Sequence, residues 1–332
     1  MPDQQRLLDI IDRFSSTPVA LIGDLVLDRF ILGTPKRISR EAPVIILRHE
    51  EQRDVPGGAA NALANMAALG LGVTALGAVG DDEPGVALRT ALADRGIDTG
   101  SLLVVPRYRT PTKVRILGGG ASSLKHQVAR YDIEDELPDD GSWYRELLLK
   151  LPAIGDCTAV AISDYGYGCV QPDIADALRD TVGRDTWITL DSRYRIGDFV
   201  GVDGATPNLE ELEVAVGRSL DGDGEVVDAA EELRSRLDAR FLLATRGNQG
   251  MTLIDADRVA AHIPVFGTDE VADVTGAGDT VLAVLTAALA AGASPLEGAR
   301  LANIAAGLVV MKLGTATISA DELRAAVTGA QA

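Results

Sequence analysis

The chain has 332 residues, 46% of them hydrophobic, and a formal charge of −18. That length accommodates one large domain or two small ones, and that apolar fraction supplies a sizeable core. The acidic balance argues against nucleic-acid backbones and anionic membranes as partners, since both are held by cationic surface. A small phosphate ligand, held by backbone amides, a metal and one or two basic residues, is still compatible with it.

From the N-terminus, "MPDQQRLLDIIDRF" carries acidic residues and no apolar run of secretion-signal length. The longest nearly apolar run, Val281–Ala293, is too short to cross a bilayer, so a cytoplasmic protein is expected. "PVALIGD" (18–24) reads as a strand buried on both faces, "GGAANALANMAALG" (57–70) as a helix with a glycine stop, and "VTALGAVGDD" (73–82) as the next strand. "DEPGVALRTALADRG" (82–96) is a second helix, with Pro84 in its first turn and Gly96 past its end. Further strands are expected at "TAVAISD" (158–164), "WITLD" (187–191) and "RFLLATRG" (240–247), each leading towards a helix. This alternation predicts an α/β fold, a mostly parallel central sheet covered by helices on both faces. Three of the strands end in Asp24, Asp164 and Asp191. Ligands of open α/β sheets bind beyond the carboxyl ends of the strands, so these carboxylates are expected to converge on a site.

Two stretches, about 29–56 and 107–135, break the rhythm: they are β-rich, mixed in polarity and carry many cations. They are expected to form a small lid of strands over the main layers, excluding water from a polar site; an antiparallel edge extension is the other reading of the same pattern. The two cysteines, Cys157 and Cys169, make neither a disulfide framework nor a zinc site and are expected to be reduced and buried. His49, His126 and His262 lack metal-ligand spacing, and "GGG" at 118–120 reads as a turn within the lid.

The chemistry concentrates in "DVTGAGDT" (273–280). Gly276 and Gly278 remove side chains in front of a long apolar helix, so that first-turn N–H groups can approach an anion with the helix dipole behind them. A carboxylate at Asp279 would repel that anion, unless it accepts a proton from a hydroxyl while the amides hold a phosphoryl group. An acidic cap on a glycine-rich turn, without chemistry, explains the octapeptide equally well. In "ATPNLEELEVAVG" (205–217), acidic residues load the first turn of a helix. The functional version has Asn208 and Glu211 ordering waters on a magnesium ion that bridges phosphates.

With these pieces in order, the chain resembles the ribokinase-like (PfkB) sugar kinases, and among them the D-glycero-D-manno-heptose-7-phosphate kinases. The resemblance runs from about residue 18 to 320 through "GDLVLDRFILGTPKRISREAP", "PGGAANALANMAALG", "SDYGYG", "TPNLEELE", "ATRGNQGMTL", "DVTGAGDTV" and "ANIAAGLVVMKLGTATIS". It implies a ribokinase-like three-layer α/β/α fold with a β-strand lid. It also implies an ATP- and Mg²⁺-dependent kinase acting on a sugar hydroxyl, with K⁺ as a further cation. By the same resemblance Asp279 is the base, and the amides of Gly276, Ala277 and Gly278 form the anion hole. Asp28, Gly57, Gly58, Asn61, Arg37, Lys113 and Asp164 are assigned to the sugar, and Asn208, Glu211, Thr245, Gly247 and Asn303 to the nucleotide. Glu211 serves Mg²⁺ through water, and Asp273, Thr275, Gly314 and Ser319 a monovalent cation. Lid strands with exposed edges suggest a homodimer, and with only a kinase domain present no adenylyl transfer is expected. The chain departs from the heptose kinases at Val55, where they have arginine, at Tyr167, where they have lysine, and at Ser192-Arg193 in place of Pro-Lys. Arg40 stands where proline is usual. Arg37, Arg40, Lys113, Arg115 and Arg130 are the remaining cations for a sugar's phosphate. Kinases for another sugar, sugar phosphate or nucleoside, and a non-catalytic sugar- or nucleotide-binding regulator, are the alternatives.

Overall fold

The computed structural model describes residues 2–119, 125–138, 141–257, 260–267, 273–312 and 314–329; Gly120 of the triple glycine lies outside them. Helix α1 (Pro2–Asp12) precedes β1 (Pro18–Gly23). The long strands β2 (Leu25–Ile38) and β3 (Ile45–Gly58) follow, then α2 (Ala59–Ala68), β4 (Gly72–Gly80), α3 (Glu83–Ala93) and β5 (Leu102–Val105). Next come β6 (Thr112–Gly118), β7 (His126–Ile133), α4 (Ser142–Leu148), β8 (Ala159–Asp164), α5 (Ile174–Val182) and β9 (Trp187–Ser192). The two-residue β10 (Gly204–Ala205) leads to α6 (Leu209–Val216) and α7 (Asp223–Leu237). Last are β11 (Phe241–Thr245), β12 (Met251–Asp255), β13 (Ala260–Ile263), α8 (Ala277–Ala290), α9 (Pro295–Val309) and α10 (Ala320–Thr328).

The main sheet has nine strands in the order β13-β12-β11-β10-β9-β8-β1-β4-β5. Its pairings are parallel from β11 to β5, while β11–β12 and β12–β13 are antiparallel. The strand at 240–247 therefore turns back into a hairpin and does not lead to a helix. The helix expected at 57–70 starts at Ala59, because Gly57 and Gly58 complete β3.

Alternation along each strand builds two cores. On β1, Val19 and Leu21 face a layer that includes α2, α8 and α9, while Ala20 and Ile22 face a layer that includes α5 and α7. This is a three-layer α/β/α arrangement. Among the described residues no helix is long and apolar enough to cross a membrane, and both cysteines are free and buried.

Helix α8 is buried along nearly its whole length, apolar on every side because it packs on both the sheet and its neighbouring helices. One buried polar contact ties it to the sheet: Thr286 hydrogen-bonds Thr189 of β9 at 2.7 Å and the carbonyl of Leu282 at 2.7 Å.

The stretches that break the sequence rhythm form a separate four-stranded sheet, ordered β3-β2-β6-β7. It is mixed, with β2 antiparallel to β3 and parallel to β6, and β6 antiparallel to β7. Its register places Val55, Asp28, Lys113 and Asp132 in one row across the sheet and Arg53, Phe30, Arg115 and Arg130 in the next. Partners directly opposite share a face, so two rows of mostly charged side chains point the same way.

Thr286→Val should leave the Thr189 hydroxyl without its partner and cost about 1–3 kcal/mol in urea unfolding. Thr189→Val/Thr286→Val should recover most of that loss. A double variant no more stable than the single would show that the pair does not act as a unit.

Candidate active site

Asp279 is the centre of the site. It lies in the first turn of α8 with 3% exposure. Its Oδ2 accepts a hydrogen bond from Asn61 Nδ2 at 2.8 Å, and its Oδ1 accepts one from the Tyr165 hydroxyl at 2.7 Å. Burial pushes the carboxyl up to about 6, against the opposing pull of these two donors; Asp28 adds to the rise and Lys113 opposes it.

Two glycines around it are bare for a reason the sequence did not reveal. Gly276 caps α8 at φ +81°, and a Cβ there would lie 2.4 Å from Asn61 Nδ2. A Cβ on Gly57 would lie 2.5 Å from Asp28 Oδ2. In both places the missing side chain makes room for a neighbouring polar group of the protein. The expected trio of free amides is also corrected: Ala277 N–H donates to the Val274 carbonyl at 3.2 Å, closing the turn. The other amides of the first turn of α8 are of the kind that a helix leaves without internal partners.

The three strand-end carboxylates divide between structure and cavity. Asp24 is buried and accepts the amides of Tyr165, Tyr167 and Cys169 at 2.8, 2.9 and 2.9 Å, so it clamps the turn after β8. Burial raises it too, to about 6. Asp164, expected to hold the sugar, is engaged by Arg195 at 3.0 and 3.1 Å and by the Ser192 hydroxyl at 2.7 Å. That ion pair occupies its oxygens with the protein's own groups. Asp191 opens to a cavity of about 540 Å³ whose wall Asp164 also reaches, shared with Arg193, Asn208, Glu211, Thr245 and Asp279. Burial first, then the neighbouring Glu211 and Asp279, drives the Asp191 carboxyl well above the usual range.

Asn208 and Glu211 form a capping box on α6: Asn208 Oδ1 accepts the Glu211 amide at 2.9 Å, and Glu211 Oε2 accepts the Asn208 amide at 2.8 Å. The box explains their spacing without ligand, yet it also holds both side chains at the cavity. Burial raises the Glu211 carboxyl. Thr245 bridges Asn208 in the sheet, and Gly247 opens the turn after β11. Asn303 is turned to the Pro264 carbonyl, to which it donates at 2.9 Å.

On the smaller sheet, Asp28 pairs with Arg115 at 2.5 Å. Lys113 lies 5.1 Å from the centre of the Tyr165 ring, and burial lowers its ammonium. Gly58 caps α2. Arg37 is not brought to this group: it is exposed near the far end of β2, nine residues from Asp28 and so about 30 Å away at ~3.3 Å per residue. Three of the four residues expected at the monovalent cation are joined by hydrogen bonds. Asp273 accepts the amides of Thr275 and Gly314, at 2.9 and 3.1 Å, whereas the Ser319 hydroxyl caps α10. Tyr165 was missed by the sequence reading; only its place directly after a strand-end aspartate pointed to it.

A mostly parallel α/β sheet carrying a buried carboxylate at a helix mouth, with a polar cavity beside it, is an arrangement that α/β enzymes use for small polar ligands. Residues 17–138 and 191–322 match the family described as pfkB family carbohydrate kinase. The chain belongs to that family and is an ATP-dependent sugar kinase. It is 43% identical over 324 residues to the bifunctional protein HldE of Nitrosococcus oceani, covering 96% of this chain and 65% of that protein. It is 41% identical to HldE of Pseudomonas aeruginosa strain UCBPP-PA14, covering 95% and 64%. The chain thus spans just under two thirds of the length of these relatives. Its fold matches an Arabidopsis thaliana ribokinase complexed with ribose and ATP (TM-score 0.71, 18% identity, 94% of this chain and 98% of that one). It also matches Escherichia coli phosphofructokinase-2 in complex with potassium (TM-score 0.76, 22% identity, 95% and 99%).

A carboxyl raised from 3.8 to about 6 by folding destabilises the protein once ionised, by ~3 kcal/mol at ~1.4 kcal/mol per pH unit. This loss develops as pH rises from about 4 to 6 and is complete above. Asp279→Asn should therefore raise the thermal midpoint by a few degrees at pH 8, and this advantage should vanish near pH 4. A variant less stable than wild type at pH 8 would contradict the burial argument.

Proposed function

We propose that this kinase transfers the γ-phosphoryl group of ATP to the anomeric hydroxyl of a heptose phosphate, D-glycero-β-D-manno-heptose 7-phosphate being the favoured substrate. The reading rests above all on Asp279, a buried proton acceptor at the N-terminus of α8, held by two donors and facing the cavity. The sugar hydroxyl gives its proton to Asp279 as its oxygen bonds to the γ-phosphorus. The bond from that phosphorus to the bridging oxygen breaks, and ADP leaves. Charge on the moving phosphoryl group is met by first-turn amides of α8 and by Arg193. The Arg193 side chain lines the cavity, lies 5.6 Å from the centre of the Tyr194 ring and has no ion-pair partner among the described residues.

The residues present suit a magnesium nucleotide. Asp191 and Glu211 crowd negative oxygens on one side of the cavity, and a hard divalent cation would relieve them while keeping most of its waters. Asp191 and Glu211 would hold the ion through its waters, and the chemistry it would supply is neutralisation of phosphate charge. Among the described residues no group of three or more His, Cys, Asp or Glu side chains is placed to hold a metal ion. A K⁺ role would rest on Asp273, Thr275, Gly314 and Ser319.

On the sugar side, Asp28, Lys113 and Arg115 supply the hydroxyl and phosphate contacts. A second reading, a different sugar in the same site, is favoured by Tyr167. Where heptose kinases have lysine, its hydroxyl donates to Glu134 at 2.9 Å, an acidic neighbourhood for a phosphate. The homodimer reading is supported by apolar side chains on the smaller sheet, Ile45, Val128 and Tyr131, each 43–52% exposed.

ADP release with ATP and heptose 7-phosphate, hexose phosphates or free sugars identifies the substrate. Asp279→Asn should lower kcat by about a thousandfold, and retained activity would refute the base assignment. Lys113→Ala should raise KM for a phosphorylated sugar about tenfold and leave KM for ATP unchanged; equal effects on both would count against a sugar-side role. In sedimentation velocity, the wild type should run as a dimer and Val128→Asp/Tyr131→Asp as a monomer. A monomeric wild type rules the dimer out.

A further inference from the structure

Tyr165 stands at the meeting point of three parts of the protein. Its amide is held by Asp24, its hydroxyl donates to Asp279 Oδ1 at 2.7 Å, and its ring lies against the Lys113 ammonium at 5.1 Å. We infer that Tyr165 is the positioning residue of the base: it aims the Asp279 carboxylate, keeps it ionised, and connects it to the cation on the smaller sheet. This rests on the reading of Asp279 as proton acceptor.

The geometry leaves little freedom. Asn61 approaches Asp279 from α2 and Tyr165 from the turn after β8, so the carboxylate plane is fixed from two sides. Each oxygen keeps a lone pair for an incoming hydroxyl. The phenol keeps its proton for donation, because burial and the Asp279 charge hold its own ionisation far above the ordinary range. A cation on the face of the ring draws electron density from it and strengthens the O–H as a donor. The groups acting on Asp279 are then balanced. Asp28 on β2 and Asp191 on β9 oppose its charge, while Lys113 on β6, Asn61 on α2 and Tyr165 favour it. Tyr165 is the member of this set whose single bond joins base and lysine.

Tyr165→Phe keeps the ring and removes the bond. In the full chain labelled with [¹³C-carboxyl]aspartate, the Asp279 resonance is assigned by its loss in Asp279→Asn and titrated without substrate. Its midpoint should rise by about one to two pH units in Tyr165→Phe. Should that variant fold poorly, wild-type protein grown with 3-fluorotyrosine provides the opposite perturbation. The more acidic phenol donates more strongly, so the midpoint should fall. A midpoint that does not move in whichever of these samples folds overturns the inference. In the sugar-kinase assay the acid limb of kcat should follow the same shift in Tyr165→Phe, with KM for ATP unchanged. An enzyme without turnover on any sugar would sink the kinase mechanism alone, since the titration needs no substrate.

Discussion

A negative charge buried at the mouth of a helix is the constraint around which this end of the molecule is built. Left in an apolar environment, Asp279 would stay protonated and could accept nothing. Two neutral donors and the N-terminal end of the α8 dipole draw it back into a range where it ionises near neutrality. The supporting parts follow from that need. Gly276 lacks a side chain so that Asn61 can reach the carboxylate, Asp24 grips three alternate amides so that Tyr165 can, and Thr189 and Thr286 anchor the helix to the sheet. In the role proposed for it, a carboxyl that protonates near 6 lies close to neutral pH, where proton transfer is most effective.

The smaller sheet presents a different electrostatic pattern. Its two rows contain Asp28, Lys113, Asp132, Arg53, Arg115 and Arg130 on one face, and most of these charges are already matched within the sheet. Among the described residues Arg53 and Lys113 are left unmatched, but Arg53 is exposed to solvent, whereas Lys113 is half-buried, lowered by its surroundings and facing an aromatic ring instead of a carboxylate. A cation in that condition gains most from an arriving anion.

Local patterns exposed much of this in the sequence. The alternation of strands and helices, the glycine turn before α8 and the departure of two stretches from helical periodicity are properties of short windows, readable without knowing what packs on them. What escaped depends on distant pairing. Lys113 lies opposite Asp28 only because β6 pairs with β2 in one register; Arg37, close to Asp28 in sequence, is carried away because β2 runs straight on. Gly276 reads in sequence as an opening for an anion and Gly57 as a sugar contact, yet their missing side chains also make room for Asn61 and Asp28, residues 215 and 29 positions away. Tyr165 and the hairpin after β11 likewise gain their meaning from partners that no local window contains.

The smaller sheet shares neither of the two hydrophobic cores beyond the first residues of β2 and a few side chains near its base. Its charged rows therefore bear little of the folding energy, while Asp279 and its donors sit on elements that cannot shift without disturbing the whole. Such a division means that substitutions among those exposed charges should scarcely alter stability. Val55 lies on that sheet, and Tyr167 and Arg193 lie on the loops beside the cavity. None of the three belongs to either hydrophobic core, so a change of side chain there alters the site's charge without unpacking the protein.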